Sequence, residues 1–359
     1  MLFAQCQHKE ISGGSTNPLD QFSVQREVHI EGIDIPLEND SVLYDPRTID
    51  IHDSIAILYD NVGTTGYTMV NLKNGKLLKR FAYSGDKSTQ FNINALNVTF
   101  SDDHQSILIY QANPPARLFR YSIDSLMKLK DYQPEFMYEV PKQLYFDNLL
   151  ALSDSLLIGK LGMISLDSKL FGLLDIKTNK MTTGILLPKL NDVDDNYYSK
   201  DVLPWTRSTL DGKTMLRPGR PNEVAYFSSK GGFAQILNIS KGSHFNSAYQ
   251  MLSYLPSFEV LKTNDMVSTK LSADCLFGYN DVAVTSDEIF VLYNGKNATD
   301  EGTDNLSSNI LLVYDWHGKP LRRYKLDKDC YKIAIDPGHP KILYTLQAFK
   351  NIKIRTYKL

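Results

Sequence analysis

The chain is short of the residues that build most recognisable sites. Of its 359 residues only three are cysteines, Cys6, Cys275 and Cys330. None of them forms a Cys-x-x-Cys pair, which removes the spacing of a structural zinc site or a thioredoxin-type redox pair. Cys275 and Cys330 read most simply as buried thiols, with a disulfide between them as the alternative. Histidine is also sparse, seven in all, with no His-Glu-x-x-His. His52, His104, His317 and His339 fall in or beside expected turns and read as solvated turn residues. A Gly-x-Ser-x-Gly nucleophile elbow is missing, as is the Gly-x-x-x-x-Gly-Lys-Ser/Thr phosphate loop. Ser228-Ser-Lys-Gly-Gly232 lies between expected strands and reads as a turn. No apolar run approaches the roughly 18 residues needed for a membrane-spanning helix. Neither charge sign dominates: 39 Lys and Arg face 41 Asp and Glu, a formal net charge of −2. Nothing resembles a basic field for nucleic acid or an acidic tail.

What the chain does hold is aromatic and β-branched, with 21 Tyr and 16 Phe. Such side chains suit pleated, half-buried strands. One pattern recurs: an apolar alternation, a turn with Asp, then a short apolar run. It appears at Thr48–Tyr59 around Asp53, at Val98–Tyr110 around Asp103 and at Leu149–Ile158 around Asp154. It returns at Val282–Tyr293 around Asp287 and at Ile333–Tyr344 around Asp336. A weaker copy, Ser208–Leu216 around Asp211, makes six. Each reads as a β-hairpin, and spacings near 50 residues match a four-stranded propeller blade. The other half of the blade also repeats: Tyr67–Phe81 aligns with Ile310–Tyr324 without a gap, around Asn74-Gly75 and His317-Gly318. Leu173–Met181 and Leu118–Leu126 are degenerate versions.

These repeats predict an all-β, six-bladed β-propeller with four-stranded antiparallel blades. Blades one to six run over 42–90, 91–140, 141–190, 200–262, 272–327 and 328–359 plus 20–32. The sixth lacks a strand, and the strand-like Phe22–Ile30 segment is expected to complete it and close the ring, hiding the edges an open sheet would expose. The domain reading is 1–19 as a tether or signal remnant and 20–359 as one propeller. Insertions at 186–204, 241–275 and 295–308 are long enough to be candidate functional loops.

Cys6 follows Leu2-Phe3-Ala4-Gln5 and precedes a Ser-, Gly- and Asn-rich stretch reaching Asp20. The pattern looks like the end of a bacterial lipoprotein signal followed by a flexible tether, with Cys6 as the lipidation candidate. The basic region and apolar core of a signal peptide do not precede it, so this reading expects a precursor that begins upstream of Met1. Together with the hairpin series and Val313-Tyr-Asp-Trp-His-Gly-Lys-Pro-Leu-Arg-Arg-Tyr324, it makes the chain resemble the TolB-like six-bladed propeller family of Bacteroidetes. The resemblance spans almost the whole chain. It implies a protein of the bacterial cell envelope, periplasmic or on the surface and held by a lipid anchor, and it carries over no catalytic motif.

Propellers commonly bind ligands where the first strand of each blade begins. Those segments hold Tyr44, Asp45, Arg47, Asn94, Asn97, Asp147, Asn148, Trp205, Arg207, Tyr279, Asn280 and Asp281. Asn97, Asn148 and Asp281 could give oxygen ligands to Ca2+ or another divalent metal, as in six-bladed lactonases. Arg207, Arg217 and Arg220 cluster near Trp205 in the sequence of the fourth blade, a composition suited to a carboxylate or a sugar. Asp192-Val-Asp194-Asp195-Asn196 begins like a calcium loop, but Tyr197 and Leu203 stand where the EF-hand pattern needs Gly and Glu. The leading expectation is a non-enzymatic binding or scaffolding propeller whose partner is an envelope protein, a peptide or a glycan. The alternative is a metal-dependent hydrolase or lactonase working at the channel mouth.

Overall fold

The computed structural model of the chain describes residues 17–22, 26–38, 43–63, 65–83, 97–101, 105–112, 115–130, 132–141, 144, 146–162, 169–188, 202–240, 244–262, 267–298, 306–347 and 352–359. The chain starts with a 3-10 turn, Pro18–Phe22, then two short strands, β1 (Glu27–Ile30) and β2 (Gly32–Asp34). Blade one is β3 (Asp50–His52), β4 (Ile55–Val62), β5 (Thr65–Asn71) and β6 (Lys76–Tyr83). Blade two is β7 (Asn97–Phe100), β8 (Ser106–Gln111), β9 (Arg117–Ser122) and β10 (Glu135–Glu139), with helix α1 (Ile123–Lys128) between the last two. Blade three is β11 (Leu150–Ala151), β12 (Leu156–Lys160), β13 (Lys169–Asp175) and β14 (Lys180–Leu186). Helix α2 (Leu203–Thr209) precedes blade four, which is β15 (Gly212–Arg217), β16 (Arg220–Ser228), β17 (Phe233–Ser240) and β18 (His244–Leu252). A separate hairpin, β19 (Phe258–Lys262) and β20 (Val267–Leu271), leads to blade five: β21 (Tyr279–Val284), β22 (Glu288–Tyr293), β23 (Ser308–Asp315) and β24 (Pro320–Cys330). Blade six is β25 (Lys332–Ile335), β26 (Ile342–Leu346) and β27 (Ile354–Lys358), with β2 antiparallel to β27 as its fourth strand.

The propeller is therefore six-bladed and closed by an N-terminal strand. Closure divides the work between two segments. Gly32–Asp34 completes blade six, while Glu27–Ile30 runs parallel to β24 on the outer edge of blade five. Arg355 ties the junction together, reaching Asp34 on β2 and Asp327 on β24 at once. Phe22, expected to start that strand, instead ends the 3-10 turn and is buried in the core between blades four and five.

Packing follows from burial on both faces of each blade. The middle strands carry continuous apolar runs, such as Ile107–Tyr110 and Ile289–Tyr293, because a blade is sandwiched between neighbours and has no wet face. Six apolar clusters form the core. Each is shared by one pair of neighbouring blades, and one joins blade six to blade one through Ile51, Leu58, Tyr344 and Ile354.

Among the described residues, the Asp turns at Asp53, Asp154, Asp287 and Asp336 join the first and second strands of their blades, as expected, while Asp103 lies outside them. At the first, Asp53 and Ser54 both take positive φ, 47° and 66°, the two-residue geometry that suits the twist of paired strands. The fourth copy differs. Ser208 and Thr209 belong to α2, Asp211 precedes the first strand, and the turn is at Pro218-Gly219. The Asp-Gly dipeptide there imitates a hairpin turn at the start of a strand. Cys275 and Cys330 are both free and buried.

The central channel as candidate functional site

In each blade the first strand is innermost, so β3, β7, β11, β15, β21 and β25 wall a central channel. The antiparallel order puts connections of two kinds on the rim where these strands begin: those between blades, and those between second and third strands. Among the described residues, that rim carries helix α2, which leads into β15, while tight turns such as Asp53-Ser54 and Pro218-Gly219 lie on the opposite rim.

The channel encloses a cavity of about 690 Å³. That lies inside the roughly 300–1,000 Å³ typical of small-ligand sites. Its walls mix apolar residues, Val98, Leu150 and Ala334 among them, with charged ones, four of which stand on successive blades. In ring order these are Lys213 on blade four, Asp281 on blade five, Lys332 on blade six and Asp50 on blade one. The sign alternates around the arc. Lys213 Nζ lies 2.8 Å from Asp281 Oδ1, and Asp281 Oδ2 accepts the Ile333 backbone N–H at 2.8 Å.

Burial works against the charge on Lys213, yet Asp281 and Asp50 outweigh it and hold the ammonium above the ordinary lysine range. Burial also dominates at Asp50, with Asp281 adding to it. Lys213 and Lys332 oppose them, and the carboxyl is pushed up to about 6. A carboxyl raised from 3.8 binds its proton more tightly in the folded state. Its contribution to stability is complete below about pH 4 and is lost as pH rises through about 6. We therefore expect the melting temperature of the wild type, relative to Asp50→Asn, to fall between pH 4 and 6. Parallel melting curves for the two proteins across that window would contradict this. Subtracting the Asn variant removes the opposite contribution of Asp34, which its bonds to Lys353 and Arg355 hold below the carboxylate range against its burial.

The mouth is organised by Asp60. Its buried carboxylate accepts the backbone N–H groups of Tyr44 at 3.0 Å and Asp45 at 2.6 Å, and burial still pushes it up despite these bonds. The pinned loop presents Arg47, which is half-exposed and paired with Asp45 at 2.7 Å. On the far side Tyr279 is buried edge-on against Phe227, with ring centroids 5.1 Å apart. Asn280 is fixed between Leu306 O and Asn294.

The residues singled out in the sequence separate into groups. Arg47, Asn148, Arg217, Tyr279 and Asp281 line the channel. Asn148 is buried, its Oδ1 accepting the Lys160 N–H at 3.1 Å and its amide donating to Thr214 Oγ1 at 3.2 Å. Asn97 sits in β7, but its side chain lies outside the described residues, as do Cys6, Asn94 and the Asp192–Asn196 loop. Among the described residues no group of three or more His, Cys, Asp or Glu side chains is placed to hold a metal. The arginines do not share a site. Arg207 is fully buried on α2 and bonds Lys169 O and Gly162 O, stapling that helix to blade three. Trp205 is partly exposed on the same helix and does not line the channel. Arg217 bonds Glu223 and Ser286 O and lies 5.3 Å from the centroid of Trp316, while Arg220 is exposed and shares Glu223. Sequence reasoning missed Asp50, Lys213 and Lys332. Each is a polar residue at the head of a first strand, and aligning those strands alone would have exposed them.

The fold and this channel define a closed six-bladed propeller with a ligand-sized, charge-lined interior. Residues 36–337 match the family described as TolB-like 6-blade propeller-like, and the chain belongs to that family. Among curated proteins nothing matches. Two solved structures share the architecture at 9% identity and a TM-score of 0.51 each. One is U3-55K, with 92% of this chain and all of that chain aligned. The other is a Bacteroides fragilis protein described as exported, with 92% of this chain and 94% of that chain aligned. No helix among the described residues is long and apolar enough to cross a membrane.

Proposed function

We propose that this protein is a binding propeller of the bacterial cell envelope, holding a small ligand inside its central channel. The observation that carries the reading is the 690 Å³ cavity with opposite charges on successive blades. Fixed charges in a confined, partly apolar space give orientation and specificity, and here the mouth residues are themselves fixed by Asp60 and Asn294. Family membership and the likeness to an exported Bacteroides fragilis protein support the envelope location, and Cys6 is the residue that would carry a lipid anchor there.

A thermal-shift panel of divalent metals, sugars, peptides and small charged metabolites tests the proposal. Ligand at 100 times its dissociation constant stabilises a fold by about 2.7 kcal/mol, a readily measured rise in melting temperature. One ligand class should give that rise, and Thr99→Trp, which fills the channel wall, should abolish it. A shift that survives Thr99→Trp would place the ligand elsewhere and overturn the channel reading. A shift confined to one divalent ion would favour a metal-dependent hydrolase instead.

A further inference from the structure

The four charges of the arc are not equivalent. Lys213 and Asp281 neutralise each other at 2.8 Å, and the second oxygen of Asp281 is taken by Ile333 N–H. Asp50 and Lys332, on the adjoining blades, have no hydrogen bond or ion pair among the described residues, and both line the same cavity. The charge of Lys332 reaches Asp50 and opposes the upward push of burial. This arc thus keeps one anion and one cation without a partner, both facing the same cavity.

We infer that the channel receives a small zwitterion, its ammonium group against Asp50 and its carboxylate against Lys332. This rests on the binding reading above and names the class of ligand. Charge matching supplies the reason. With all four groups ionised the arc is neutral, so a ligand of net charge would leave a fixed charge of the arc, or its own, without a match. An alkylamine would leave Lys332 unmatched, a simple carboxylate would leave Asp50 unmatched, and a neutral sugar would leave both. A divalent metal at Asp50 would face the ammonium groups of Lys213 and Lys332. A zwitterion answers both charges, and Val98, Leu150 and Ala334 offer apolar wall to a short hydrocarbon body between its ends.

The test is calorimetric titration of the intact chain with linear ω-amino acids of increasing methylene spacing, with the alkylamine and the alkanoate of matching length as controls. At least one spacing should bind, and both single-charge controls should bind about tenfold or more weakly, the range expected for losing a hydrogen bond to a charged group. Asp50→Asn and Lys332→Gln should each cost about as much. A second readout needs no variant. Near pH 6 Asp50 is partly protonated, so an arriving ammonium group should release protons, seen as binding heats that vary with the ionisation enthalpy of the buffer. An alkylamine that binds as tightly as the best zwitterion, or zwitterion binding indifferent to both substitutions and to buffer, would overturn the inference. If no ω-amino acid binds while another class gives a shift abolished by Thr99→Trp, the zwitterion is wrong and the binding channel stands. If no class binds, both fall.

Discussion

Phe22→Ala is expected to lower the unfolding free energy by roughly 3–5 kcal/mol, the usual range for truncating a buried phenylalanine. Phe22 is 1% exposed. Its ring meets Tyr314 edge-on, with centroids 5.0 Å apart and planes at 80°, inside the apolar cluster that joins blades four and five. Neighbouring residues of the same turn are also held by this pair of blades. Gln21 bonds Met251 and Tyr249, and Asn17 accepts from the Tyr293 hydroxyl at 3.2 Å. Truncation leaves a void and loosens the anchor of the segment that goes on to close the ring. Against a typical total stability of about 5–15 kcal/mol the loss is large. It should appear in urea unfolding as a lower midpoint with an unchanged slope, and Phe22→Leu should recover most of it. A loss below about 1 kcal/mol would mean that this turn does not dock in solution.

Gly278→Ala should cost roughly 2–4 kcal/mol for a different reason. A Cβ at this position would lie 1.9 Å from Gly231 O and 2.6 Å from Ser228 O, both backbone atoms. Gly278 also donates its N–H to Ser229 O at 2.8 Å and accepts the Asn294 N–H at 2.9 Å. Blades four and five are thus joined backbone to backbone at the upper rim, and a methyl group can fit only by forcing them apart. Because Tyr279, Asn280 and Asp281 follow directly, the same substitution should weaken binding in the channel. Gly219→Ala is the control. Its φ is +72° but it has open space around it, so it should cost only the left-handed backbone penalty of about 1–2 kcal/mol. A loss at Gly278 no larger than at Gly219 would show that the blade contact gives way to a methyl group without cost beyond that.

The sequence by itself determined the blade, the number of blades and where the channel begins. Hairpins are local: the period-two alternation, the Asp turn at Asp53 and the Gly turn at Gly75 act within a dozen residues. Six recurrences leave little choice about the ring. Even the error at blade four was local, since Asp211-Gly212 has the composition of a turn while the turn itself is at Pro218-Gly219. That shift hid Lys213 as the second residue of an inner strand, and with it a channel charge.

Only the tertiary structure decided which polar residues share a space. Lys213, Asp281, Lys332 and Asp50 are scattered along the chain and meet because four inner strands converge on one axis. The arginines that looked like a cluster in sequence were dispersed by the same geometry. Arg207 went into a helix staple and Arg217 to Glu223 and Trp316, because residues close in sequence leave a blade in different directions. Phe22 likewise read as a strand residue until the closed ring offered it the cleft between blades four and five. Local alternation sets the strands, whereas ring closure sets the electrostatics, since a charge acquires its partners and its burial only when distant blades come together.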